Sequence, residues 1–116
     1  SVELEGNLPS DRGMWFAAEN FGRTLAPTPE QVESALALGR YIAREFPIVH
    51  LHAHRQWSAT RGNCCGPQIW AAVAEPLKAE LGLTEGPTGR GWSSPNGRSI
   101  PDSWRAAPVV VPNLGA

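Results

Sequence analysis

Apolar and polar residues alternate over Ser1-Val2-Glu3-Leu4-Glu5, and Gly6-Asn7 ends the run. This is the pattern of a short, half-buried strand, with Val2 and Leu4 on one face and Glu3 and Glu5 on the other. A strand of this length needs neighbours, so the pattern predicts a sheet that it joins. From 8 to 27 the periodicity disappears. Pro9, Gly13, Gly22 and Pro27 punctuate a long loop, in which Met14, Trp15, Phe16 and Phe21 are the anchoring side chains.

Thr28-Pro29-Glu30-Gln31 predicts a helix start. Thr28 suits the cap, Pro29 the first helical position, and Gln31 closes a capping box. Val32, Ala35, Leu36, Gly39, Ile42, Ala43 and Phe46 then recur at helical spacing, and Pro47 ends the helix. Ile48 to Ala53 returns to a period of two. Val49, Leu51 and Ala53 share one face, and His50, His52 and His54 the other. Gly66-Pro67 opens a second helix with Ile69, Trp70, Val73, Leu77 and Leu81 facing inward, which Pro76 should kink or divide near Glu75. Beyond Gly82 the chain is rich in Gly, Pro and Ser. Residues 83–116 therefore read as an irregular extension held by Trp92, Ile100 and Trp104.

The order strand, loop, helix, strand, loop, helix predicts an α/β fold, a mixed sheet flanked by helices. Two strands make too small a sheet, so the expectation is that N-terminal strands are missing from this chain. Residues 1–82 then form the C-terminal part of a domain, and 83–116 its extension.

Composition narrows the functions. The 116 residues suffice for one domain. A formal net charge of −1 gives no electrostatic case for nucleic acid or an anionic membrane. The longest apolar runs are far shorter than a membrane span, and no signal-peptide pattern stands at the start. The two cysteines, Cys64 and Cys65, are adjacent and cannot pair with each other without strain. They read as a metal ligand, a reactive thiol or small packed residues.

His54 leaves the second strand, and a polar loop leads from it to Cys64, just before the Gly66-Pro67 helix start. Imidazole and thiolate are both good zinc ligands. The same pair could equally be a cysteine nucleophile at a helix start with a histidine base, or simply packed residues. His50 and His52 fit polar positions on a half-exposed strand. Glu3 and Glu5 share a strand face and suit either solvent or proton transfer beside a metal-bound water.

Ser1-Val-Glu-Leu-Glu-Gly-Asn7, Thr28-Pro-Glu-Gln31 and His54-Arg-Gln-Trp through Cys64-Cys-Gly-Pro67 resemble, in order and spacing, the zinc-dependent N-acetylmuramoyl-L-alanine amidases. These share a fold with the peptidoglycan recognition proteins. The resemblance covers roughly residues 1–82, and Gly97-Arg-Ser-Ile-Pro-Asp-Ser-Trp104 is similar to a motif that follows this domain in some bacterial relatives. It implies one zinc, with His54 as second ligand, Cys64 as third, Glu3 as catalytic proton carrier, and hydrolysis of the amide joining muramic acid to L-alanine. The first ligand, a histidine on an earlier strand, is absent from this chain. A lysine frequent in the family falls at Gly62, which leaves Arg61 as the candidate cation for the oxyanion. Cys64-Cys65-Gly66 also replaces the usual Asp-Pro-Gly.

The leading expectation is therefore a zinc-dependent amide hydrolase acting on peptidoglycan fragments. A second chain would carry the N-terminal strands and the first histidine. The alternatives are a peptidoglycan-binding module that does not cut, and a structural half-domain that completes a partner. A periplasmic, secreted or phage-associated setting fits all three.

Overall fold

In the computed structural model, the described residues are Pro9–Ser10, Gly13–Met14 and 26–106. The opening strand, with Glu3 and Glu5, lies outside them, as do most of the loop's aromatic anchors and the end of the extension. Strands β1 (Pro9–Ser10) and β2 (Gly13–Met14) pair antiparallel, Pro9 with Met14 and Ser10 with Gly13.

Helix α1 (Pro29–Glu45) begins as its sequence dictates. Thr28 Oγ1 accepts from Gln31 N at 3.1 Å, and Gln31 Oε1 accepts from Thr28 N at 2.9 Å. This reciprocal pair satisfies two of the amides that a helix start leaves without partners. The helix stops at Glu45, and Phe46 and Pro47 continue as extended or irregular chain. Its apolar face is only half covered. Val32, Ala35 and Leu36 pack on the core, while Leu38, Tyr41 and Phe46 remain exposed.

The second helical rod consists of α2 (Pro67–Ile69), a wide π turn (Trp70–Ala74) and α3 (Glu75–Leu81). The division falls at Glu75, where Pro76, lacking an N–H and crowding the preceding turn, breaks the regular ladder. Gly82, at φ +66°, closes the rod in the left-handed conformation that glycine adopts without a Cβ penalty. The rod carries most of the core. Ile69, Ala72, Val73 and Leu77 face α1, and Gly39 of α1 makes room for Leu77, whose Cδ1 lies 2.5 Å from where a Gly39 β-carbon would stand. Trp70 and Ala74 face the other way, against Ala53, Ile100 and Trp104. The last of these sits on α4 (Asp102–Arg105).

The expected mixed sheet does not form. The described residues make a small helical domain whose only strands are the two-residue pair. Residues 48–53 are extended, and Leu51 N donates to Thr84 O at 2.8 Å while Thr84 N donates to Val49 O at 3.0 Å. The pairing ends there, as a single parallel bridge between His50 and Thr84. The strand expected over 48–53 is therefore reduced to this bridge, and His54 already belongs to a 3-10 turn. A ladder requires a partner of similar length, and the partner turns away at Gly86, whose φ of +144° only glycine tolerates readily. Burial of the apolar residues falls to the helical rod instead.

Candidate functional site

Ala53 and Gln56 build the start of the site. The Gln56 side chain is fully buried. Its Oε1 accepts from Ala53 N at 2.8 Å, and its Nε2 donates to Trp92 O at 3.1 Å. These bonds fold His54–Gln56 into a tight 3-10 turn, and a second such turn follows at Ala59–Arg61. Cys64 N then donates to Arg61 O, and Arg55 N donates to Cys64 O, each at 3.0 Å. The loop is thus closed at its base. Arg55 tightens it further: its Nη1 donates to Gly62 O at 2.9 Å and its Nε to Ser99 O at 2.7 Å.

The residue after His54 is therefore bonded to Cys64 itself. The His54 side chain is exposed, and Cys64 is partly buried and free of any disulfide. Cys65 behaves differently. It packs against both core clusters, its Sγ lies 3.7 Å from Gly66 O, and burial pushes its thiol up to about 12. A protonated thiol is a poor nucleophile.

His50 and His52 take a separate place. His52 Nδ1 is 3.0 Å from Glu85 O, a carbonyl that can only accept, so Nδ1 carries a proton. The Thr84 hydroxyl donates to Gly86 O and so accepts from His50 Nδ1 at 2.8 Å, which puts a proton on that nitrogen too. The His52 ring lies 5.5 Å from Trp57, edge-on, and 5.1 Å from Trp92. The two indoles are 5.2 Å apart.

Among the described residues, no group of three or more His, Cys, Asp or Glu side chains is placed to hold a metal. The link between His54 and Cys64 that the structure shows is the backbone bond from Arg55 N to Cys64 O. Glu3 lies outside the described residues. Arg61 is exposed on the second turn. Sequence reasoning missed a second cation, Arg98. Its backbone N donates to Arg55 O at 2.9 Å, and its Nη1 lies 3.9 Å from where a Gly62 β-carbon would stand. The space opened at Gly62 faces this guanidinium. Long-range pairing of the 94–98 segment with the loop is not legible from local spacing.

A further cluster was also not anticipated. Glu85 is buried, and its carboxylate accepts from Lys78 Nζ at 2.7 Å and from Arg105 Nη1 and Nη2 at 2.5 and 2.8 Å. Burial pushes the Glu85 carboxyl up, but the hydrogen bonds and charges of Arg105 and Lys78 outweigh it and hold the group below the ordinary range. Lys78 also donates to Glu75 Oε2 at 2.8 Å, and so does Trp70 Nε1 at 3.0 Å. The network ties α3, the 83–86 turn and α4 together beneath the histidines.

Compared with known families, curated proteins and solved structures, the chain matches none of them. The functional reading rests on its own residues.

Proposed function

We propose that this chain is part of a zinc-dependent amide hydrolase acting on peptidoglycan, with His54 and Cys64 as two of the zinc ligands. The observation that carries the reading is the closed loop. The Arg55 N to Cys64 O bond sets the residue next to His54 against Cys64, while Cys65 is turned into the core with its thiol protonated. Cys65 packs against both core clusters, and Cys64 is the cysteine that the amidase resemblance selects as ligand.

A catalytic zinc takes three protein ligands and keeps one position open. The third ligand, a histidine, comes from a partner chain. Exposed Leu38, Tyr41, Phe46 and Val49 offer that partner an apolar surface. Zinc held by His54 and Cys64 would supply Lewis-acid activation of the amide carbonyl and of water. The chain's own contributions are Glu3 as proton carrier and a cation for the oxyanion, Arg61 or the Arg98 guanidinium beside Gly62.

Muropeptide cleavage tests the reading. The chain alone, with zinc, should release no peptide, and adding a segment that carries a strand with the missing histidine should start release. His54→Ala and Cys64→Ser should each abolish it. Release that survives both substitutions would contradict the assignment.

A further inference from the structure

We propose that Trp57, Trp92 and His52 form a saccharide-binding platform, distinct from the His54 and Cys64 donors. Trp57 is 54% exposed although it is among the largest apolar side chains of the molecule. Its position is nevertheless built. Trp57 N donates to His54 O at 3.0 Å and Ser94 Oγ donates to Trp57 O at 3.2 Å, while Gly97 brings the 94–98 segment against the backbone of Gln56 and Trp57. Trp92 is seated on Gly86, where a β-carbon would stand 2.5 Å from its Cδ2. The two indoles meet at 71°, with the His52 ring against both. A rigid aromatic surface left in contact with solvent costs stability that a ligand can recover.

The chemistry around the platform selects the ligand class. A cation over an indole would need a carboxylate nearby, and the carboxylate of Glu85, whose backbone carbonyl holds His52, is turned inward to Lys78 and Arg105. Arg61 and Arg98, on the same loop assembly, add positive charge. Beside them stand uncharged hydroxyls, those of Ser58 and Thr60, 2.8 Å apart, and the outer ring nitrogen of His52. A pyranose ring matches this set. Its C–H face lies on the negative face of an indole and its rim hydroxyls meet neutral hydrogen-bonding groups. The natural ligand would be the glycan strand of peptidoglycan, a point that rests on the amidase reading; saccharide binding itself does not.

The test is a titration of the 116-residue chain, kept zinc-free with a chelator, with a β-1,4-linked N-acetylglucosamine tetramer. Tryptophan fluorescence and the NMR signals of the indole N–H groups follow binding. Saturable shifts at Trp57 and Trp92 are expected. Trp57→Ala should weaken binding about tenfold or more with an unchanged circular dichroism spectrum, Trp57→Phe should restore part of it, and Glu33→Ala, on the exposed face of α1, should bind as the parent does. No saturable shift, undiminished affinity in Trp57→Ala, or loss of binding in Glu33→Ala would overturn the platform. None of these outcomes depends on zinc, so the platform and the hydrolase reading can fail separately.

Discussion

Two residues of opposite character, Glu85 and Cys65, show how far one side chain's environment decides what it can do. Glu85 is a carboxylate placed in the interior, tolerable because two cations and three short hydrogen bonds replace its water. Removing it takes the closest carboxylate from Lys78 and Arg105 and leaves both cations only Glu75 nearby, at 2.8 and 3.5 Å, with Asp102 at 3.8 Å from Arg105. Glu85→Ala is expected to cost roughly 3 kcal/mol or more, read as a lower denaturation midpoint, and an unchanged midpoint would refute the network's role. The folded carboxyl is held below its ordinary range, so its contribution is fully present above the unfolded value of about 4.3 and is lost as pH falls through the lower folded value. Stability should therefore decline more steeply on acidification in the parent than in Glu85→Ala. At the sequence level Thr84-Glu85-Gly86 is only a turn, because the partners of Glu85 arrive from α3 and α4. The adjacent cysteines read alike in the sequence, and the packing of Cys65 on both core clusters, which raises its thiol, comes from the fold.

At the level of elements, local chemistry was legible and pairing was not. The Thr28 cap, the Pro67 start and the break before Pro76 lie where their residues require, since each depends on neighbours a few positions away. Thr28→Ala should cost about 1 kcal/mol in thermal or chemical unfolding. The strand over 48–53 failed as part of a sheet because alternation describes one segment and says nothing of whether a partner runs alongside. The loop at the candidate site depends on just such a long-range pairing. Ser94 N donates to Gln56 O at 2.8 Å, and Gly97 packs so closely on Gln56 O that a β-carbon there has no room. Gly97→Ala should force the 94–98 segment off the loop and destabilise the chain by about 1–3 kcal/mol. Wild-type stability in that variant would show that the contact is dispensable.

Across the whole molecule, the stretch after Gly82 is structural despite its irregular path. Leu83, Ile100 and Trp104 are buried, and Trp104 packs with Trp70 and Ala53 beneath the site. Ending the chain at Gly82 should abolish cooperative unfolding, because it uncovers Trp70 and leaves Lys78 without Glu85; a sharp transition in the shortened chain would contradict this. The same organisation brings the His54–Cys64 loop, Arg98 and the Trp57–Trp92 pair to one region of the surface through the 92–98 segment. Exposed Leu38 and Tyr41 of α1, with Phe46 and Val49 just beyond its end at 58% and 62%, mark the side where a partner carrying the remaining ligand is proposed to sit. The most direct measurement is a cobalt(II) titration of the chain, reading the thiolate-to-metal charge-transfer absorption. The account predicts a weak but saturable band that disappears in Cys64→Ser, falls sharply in His54→Ala and persists in Cys65→Ala. A band that survives Cys64→Ser, or that requires Cys65, would contradict it.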